Sequence, residues 1–340
     1  MSGDSVAQPS SEAPDPRSGT PRRSRRRRQL AWAIPAAIVA ILTAVLPHLD
    51  LLAGEVIPVL QALVPVGAVV LALLAVVLLI ARAWVGALIL FLGAVLAVVP
   101  TLTPMRGAPE CEVHTPLTVL SFNAKFAHAD PAQLAALIRS ERARVVILVE
   151  TDEALIDAVL HRHGLDTVLP YRTREVTPGG VNGSVILSAY PLHDEEDIPG
   201  SVFDEVTAIA TLPDGSRLRV AGVHPPSPVG QPHDWYRGLT AIDEWLQRTP
   251  DARLVVAGDW NSSYAHPVFR RLTSSLRDAE QAAGPIPWPT WPQEKPVPAF
   301  TAIDHILARG AMPTDWASFH IDGSDHRAVV GSWRLCAPAH

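Results

Sequence analysis

LVVAGDWNS, residues 254–262, runs a short apolar stretch directly into Gly-Asp-Trp-Asn-Ser. Leu254 to Ala257 is too short for a helix, contains two valines and is closed by glycine, which predicts a buried strand. Asp259 and Asn261 then follow the end of that strand. Working outward, the same arrangement recurs. Asn123 follows LTVLSF (117–122), Glu150 follows VVILV (145–149) and His224 follows the strand-like run Leu218–Val223. Asp304 and His305 interrupt the strand-like segment Ile303–Ala308, and Asp325 and His326 precede RAVVGSW. One Asp or Asn after a strand is an ordinary turn residue or cap. The series carries the information: four carboxylates, two Asn and at least two His, each at a strand end. Loops at the edge of a rigid sheet are where catalytic groups are commonly placed.

The intervening segments predict an α/β chain. PAQLAALIRS (131–140) reads as an amphipathic helix with Leu134, Leu137 and Ile138 on one face, and Trp235–Gln247 and Val268–Leu276 read as further helices. Gly183–Ala189, Glu205–Leu212 and Ala328–Trp333 read as strands. Strands outnumber helices and several lie too close together for helical crossovers. Mixed or antiparallel sheets are therefore expected rather than a doubly wound parallel sheet. Residues 277–300, with six prolines, predict a long irregular loop.

Carboxylate and amide oxygens suit a hard divalent cation, Mg²⁺ or Mn²⁺, and two cysteines are too few for a structural zinc module. Neither a Gly-x-Ser-x-Gly elbow nor a P-loop is present, which argues against a serine hydrolase or an NTPase.

With SFNAK (121–125), VE (149–150), VNGSVILSAYPL (181–192), VHPP (223–226), GDWNS (258–262), TWP (290–292), IDHIL (303–307) and GSDHRAVV (323–330), the sequence resembles the endonuclease/exonuclease/phosphatase superfamily. The motifs occur in that superfamily's order across residues 117–335. The resemblance implies a DNase I-like four-layer α/β/β/α sandwich with its site at one edge of two sheets. It implies Glu150 as principal metal ligand, with Asn123 and Asp325 contributing directly or through water. Asp259 matches the residue that orients or deprotonates the attacking water, and Asn261 the amide that holds a phosphate oxygen. His326 resembles the imidazole on the scissile phosphate, oriented by Asp304. His224 resembles the second imidazole, beside the transition state or leaving oxygen. GDWN stands where GDFN is commoner, an aromatic-for-aromatic change.

The remainder of the chain is of another kind. Of 340 residues, 48% are hydrophobic and 18% charged, and the net charge of −6 hides an asymmetry. Residues 1–29 carry seven Arg and no apolar periodicity, predicting a disordered tail. Three apolar stretches follow, 30–49, 56–80 and 84–102, each long enough to span a ~30 Å hydrocarbon core. The Arg run predicts a cytoplasmic N-terminus, so three spans place a 104–116 linker and the 117–335 domain outside the cell membrane. That outer part, from residue 106, has 29 acidic and 20 basic side chains, only Lys125 and Lys295 being lysines. A duplex ligand needs several cationic contacts, so no specific nucleic-acid partner is expected.

Three spans with the TWP and IDHIL spellings are similar to a membrane-anchored actinobacterial group, the VanJ-like teicoplanin-resistance proteins. That similarity implies a phosphatase acting on a lipid-linked diphosphate, such as undecaprenyl diphosphate, at the outer leaflet. A surface nuclease or another lipid phosphodiesterase is the alternative enzyme, and a membrane sensor on the same fold the non-enzyme alternative. Cys111 and Cys336 flank the domain in a compartment expected to be oxidising, as a bridge or as two thiols.

Overall fold

The computed structural model of the chain describes residues 21–50, 54–109, 111–176 and 182–337. Its first helix, α1, is Pro21–Val45, continued by a 3-10 turn to His48. This corrects the expected tail: residues 21–29 are helical, continuous with the apolar helix that follows, since Arg is a good helix former. Residues 1–20 lie outside the described residues.

Gln29–His48 and Trp84–Thr101 are long and apolar enough to cross a membrane. The expected span 56–80 is two helices, α2 (Val56–Ala62) and α3 (Val64–Ile80), bent by 58° and passing the same test only together. Pro65, in the first turn of α3, has no N–H to give and crowds the carbonyl four residues back, which explains the break. The helix α4, Trp84–Val98, packs on both α1 and α3. Gly93 lies against α1 so closely that a Cβ would stand 2.5 Å from that of Ala40, the small-residue contact typical of helices in lipid.

Residues 113–336 form the sandwich. One sheet has the order β11-β12-β1-β2-β4-β3, from Ala311–Phe319, Ala328–Cys336, Val113–Asn123, Val145–Val149, Ser184–Ser188 and Tyr171–Arg172. The other has β5-β6-β7-β8-β10-β9, from Leu192–Asp197, Val206–Thr211, Arg217–Val223, Leu254–Asp259, Asp304–Arg309 and Arg277–Asp278. Alternation along the strands builds the layers. Val145, Ile147 and Val149 of β2 face the second sheet, meeting Val220 of β7 and Val255 of β8. Val146 and Leu148 face outward onto α5 (Pro131–Ser140), through Leu134 and Ile138. On the far side α6 (Pro232–Arg248) sets Trp235, Leu239 and Ile242 on the second sheet, beside Trp260 and Phe269. Both faces of the central strands are buried, which is why they read as continuous apolar runs.

Several boundaries differ from expectation. The linker ends at residue 112, because β1 begins at Val113, paired with Cys336. A disulfide joins Cys111 to Cys336 with Cα atoms 5.6 Å apart, settling the two cysteines as a bridge that ties the two ends of the domain. The 277–300 segment opens with the short strand β9 and a 3-10 turn before becoming irregular. The strands β5 and β11 add to those expected: LHDEED is polar on both faces, and AMPTDWASF is an edge strand with a bulge between Pro313 and Asp315.

Candidate active site

Two parallel strand pairs set the site's position. β1 lies parallel to β2, with Asn123 beside Val149, and β7 lies parallel to β8, with Val223 beside Gly258. Their carboxyl ends share one edge of the sandwich, so Asn123, Glu150, His224 and Asp259 converge there. β10 runs antiparallel to β8, and its first residue, Asp304, stands opposite Asp259. Gly258 is required at this point: a Cβ would fall 1.8 Å from the Val223 carbonyl oxygen. Glu150 and Asn261 themselves hold positive φ, +50° and +46°, the strained backbone that often marks a functional edge.

The side chains form one network. Asn123 Nδ2 donates to Glu150 Oε1 at 2.9 Å and to Asp259 Oδ2 at 3.0 Å, while its Oδ1 accepts from the Lys125 N–H. Expected among the metal ligands, Asn123 thus presents its NH₂ to the carboxylates and turns its oxygen to the backbone. His224 Nε2 lies 3.5 Å from Glu150 Oε1 and 3.8 Å from Asp259 Oδ2. His326 Nδ1 donates to both oxygens of Asp304, at 3.0 and 3.1 Å, and its Nε2 lies 3.5 Å from Asp259 Oδ2. The Asn261 N–H donates to Asp259 Oδ1, and its amide donates to the Pro225 carbonyl. Ser324 ties the loop between β11 and β12 to the end of β1 by donating to the Asn123 carbonyl and accepting from the His326 N–H. Asp325 lines the same cavity, 3.8 Å from Lys295 Nζ.

Burial pushes the Glu150 and Asp259 carboxyls above their ordinary range. Burial alone would lower His326, but the charges of Asp304 and Asp259 outweigh it and raise the imidazole to about 10, so it carries a proton at neutral pH. Two residues escaped sequence reading. Burial raises Glu205, wholly enclosed, to about 8, and its Oε1 accepts the His224 N–H. Thr290 Oγ1 accepts the N–H groups of Ile303 and Asp304, fixing the start of β10. An acid opening an apolar strand was the only sequence signal for the first; the second lay within TWP.

Glu150, His224 and Asp259 each offer a ligand atom within 4.8 Å of the others, as do Asp259, Asp304 and His326. Asp325 is in neither triplet, although its charge acts on Glu150 and His326. Carboxylates gathered this tightly, with two imidazoles beside them, fit a hard divalent cation. The cavity over them holds about 440 Å³. His305, which the sequence set beside Asp304, is absent from it: it points through the opposite face of β10.

The family model described as Endonuclease/Exonuclease/phosphatase family matches residues 120–326. No curated protein matches the chain. Among solved structures, it is similar to D. rerio TDP2 complexed with single strand DNA product, at 19% identity and TM-score 0.54, covering 65% of this chain and 100% of that one. It is similar to an endonuclease/exonuclease/phosphatase from Beutenbergia cavernae, at 21% identity and TM-score 0.50, covering 66% and 72%. It is also similar to the Bacteroides thetaiotaomicron mannosyl-6-phosphatase, at 13% identity and TM-score 0.50, covering 64% and 100%. At these identities the likeness is one of fold. With the matched segment spanning the motifs from β1 to His326, the chain belongs to the endonuclease/exonuclease/phosphatase family.

Proposed function

We propose that the protein is a membrane-anchored, divalent-metal-dependent phosphoesterase whose substrate is a lipid-linked phosphate, with a polyprenyl diphosphate as its best fit. The observation that carries the hydrolytic reading is the convergence of Glu150, His224, Asp259, Asp304 and His326 on one cavity. Glu150, steadied by Asn123, and Asp325 are the proposed metal-holding carboxylates. When bound, Mg²⁺ or Mn²⁺ offsets charge on the phosphoryl oxygens and helps orient the phosphate. Asp259 positions a water in line with the leaving oxygen. Protonated His326, held by Asp304, donates to a phosphoryl oxygen as negative charge gathers there. His224 stands on the other side of Asp259, placed to supply a proton to the leaving oxygen.

The anionic substrate is supported by the placement of the domain's two lysines. Lys125 lines the cavity and Lys295 pairs with Asp325 at its rim. A lipid rather than a polynucleotide is supported by the scarcity of other cations and by the apolar helices preceding the domain. Placement of the domain outside the membrane follows from the Arg run before α1, and a role in glycopeptide resistance follows only from the resemblance to the VanJ-like group. The test is Mg²⁺-dependent hydrolysis of polyprenyl diphosphate, read as released phosphate, beside single-stranded and duplex DNA, read as strand cleavage. Turnover of DNA alone would overturn the lipid assignment, and turnover of none would overturn the enzyme.

A further inference from the structure

The cavity over the site is not closed by the sandwich alone. One wall is α2, contributing Pro58, Val59 and Ala62, with Leu63 at the bend that follows it. α2 is the segment bent away from α3, so a piece of the apolar helix pair faces Glu150, His224 and Asp259 across one cavity. The apolar side also takes in Phe126, Phe203, Val229, Trp291, Phe300 and Ile303; Phe126 and Val229 are exposed.

α2 is fastened there. His266 is wholly buried, and burial lowers it to about 4, so it is neutral. Its Nδ1 accepts the Ser263 N–H, which leaves the proton on Nε2 to donate to the Pro58 carbonyl at 3.0 Å. The same ring packs edge-on against Trp235, whose Nε1 donates to the Asn261 carbonyl and to Ser262. The α2 contact is therefore one ring removed from the catalytic loop. Around it, Glu55 accepts the Gly230 N–H, Arg270 donates to the Pro47 carbonyl, and Arg271 pairs with Asp50. A second attachment lies after α4, where Thr103 donates to Glu280 and Arg277 donates to the Gly107 carbonyl. Two separated attachments hold the sandwich against swivelling, so the cavity keeps α2 as its wall.

We infer that α2 is part of the substrate site: the hydrocarbon chain of an amphiphilic phosphate lies along Val59, Leu63 and Val229 while its phosphate occupies the carboxylate end. The inference rests on the phosphoesterase reading of that end. The occupant is a hydrocarbon chain because the wall is continuous with helices whose outward faces are exposed Leu, Val and Ile throughout, the surface a bilayer covers. A soluble sugar phosphate has no apolar part to set against Val59 and Leu63, and their aliphatic side chains offer a nucleobase no ring to stack on. A chain entering from the bilayer keeps apolar contact along its path while its head group reaches the polar end.

The test uses the full chain in lipid nanodiscs and a long-chain prenyl phosphonate, resistant to hydrolysis, with a diazirine in its chain. Photolysis is expected to label residues 56–63 and the segment around Val229. Labelling confined to the outer faces of α3 and α4, or labelling displaced by a single-stranded oligonucleotide, overturns the inference. As a second measurement, Val59→Asn and Leu63→Asn are expected to lower the ratio of kcat/KM for a long-chain over a water-soluble phosphate ester about tenfold, roughly the effect of two methylenes losing apolar contact. An unchanged ratio counts against the wall, and a rise in turnover of both substrates means that α2 is a plug instead. Labelling of α2 in a wild type that hydrolyses no phosphate ester would overturn the phosphoesterase reading and leave the lipid wall standing.

Discussion

Asp304 and His305 are consecutive residues on β10, and they belong to two different Asp–His clusters. Side chains alternate across a strand, so one faces the cavity and the other faces α7 (Pro267–Leu272). On the cavity side, Asp304 holds His326, and Asp259, Glu150 and His224 follow with polar atoms 3.5–3.8 Å apart. On the other side, His305 Nδ1 bonds Asp278 at 2.9 Å and Nε2 faces the Ala302 carbonyl at 3.1 Å. Asp278 also accepts from Tyr264, and Glu280 accepts from Thr103 and the Trp288 N–H. Rings of Phe269 and Tyr264 seal this second cluster. Both clusters carry the residue types of a metal or catalytic site. One opens on a cavity and leaves loose contacts for a ligand to complete; the other is closed and bonded within itself. Residue chemistry nominates a site, and access with unfinished coordination selects between nominees.

The largest expected effect lies on the open side. His326→Ala or Glu150→Ala is expected to lower turnover by about 10³-fold or more, with an unchanged circular dichroism spectrum. Phosphate release within tenfold of wild type in both would erase the distinction between the clusters. Next in size, Asp278→Ala or His305→Ala is expected to remove about 3–5 kcal/mol of stability, because each strands a buried partner, while activity per folded molecule persists. Loss of activity at an unchanged melting temperature would make the sealed cluster functional.

The sealed cluster also predicts a pH dependence. Burial raises Glu280 to about 7, against an ordinary 4.5. For His305 burial acts downward, but the charge of Asp278 prevails and raises it to about 8, against 6.5. Both folded values exceed the unfolded ones, so each group favours the fold below its unfolded value and loses that contribution as pH rises through the folded value. Melting temperature should therefore fall between about pH 4.5 and 8, and Glu280→Gln should flatten the lower part of the slope. A variant with the wild-type slope would assign it elsewhere. The smallest effect is expected from Tyr264→Phe, about 1 kcal/mol, since Asp278 keeps its bond to His305. A loss above about 3 kcal/mol would mean that the tyrosine, rather than the Asp–His pair, closes this side.

Much of the sandwich was legible. VVILV and PAQLAALIRS match their observed elements, because a run buried on both faces and a one-faced helix leave clear patterns. β5 and β11 were not legible, being edge strands with little buried surface to pattern them. The site residues Glu150, His224, Asp259, Asn261, Asp304 and His326 could be nominated because each lies at a strand end or within two residues of one. The orientation of Asn123 and the place of Glu205 could not, since hydrogen-bond partners 19 to 136 residues away fix them.

By itself, the sequence determined the family motifs, the apolar helices and the charge asymmetry, because each is a local pattern of residue types. The tertiary structure decided which of two adjacent Asp–His clusters opens on a cavity, that Cys111 meets Cys336, and that the segment bent off at Pro65 docks on the sandwich so that α2 walls the site. Those outcomes depend on contacts between residues up to 225 positions apart, and no local pattern encodes such a distance.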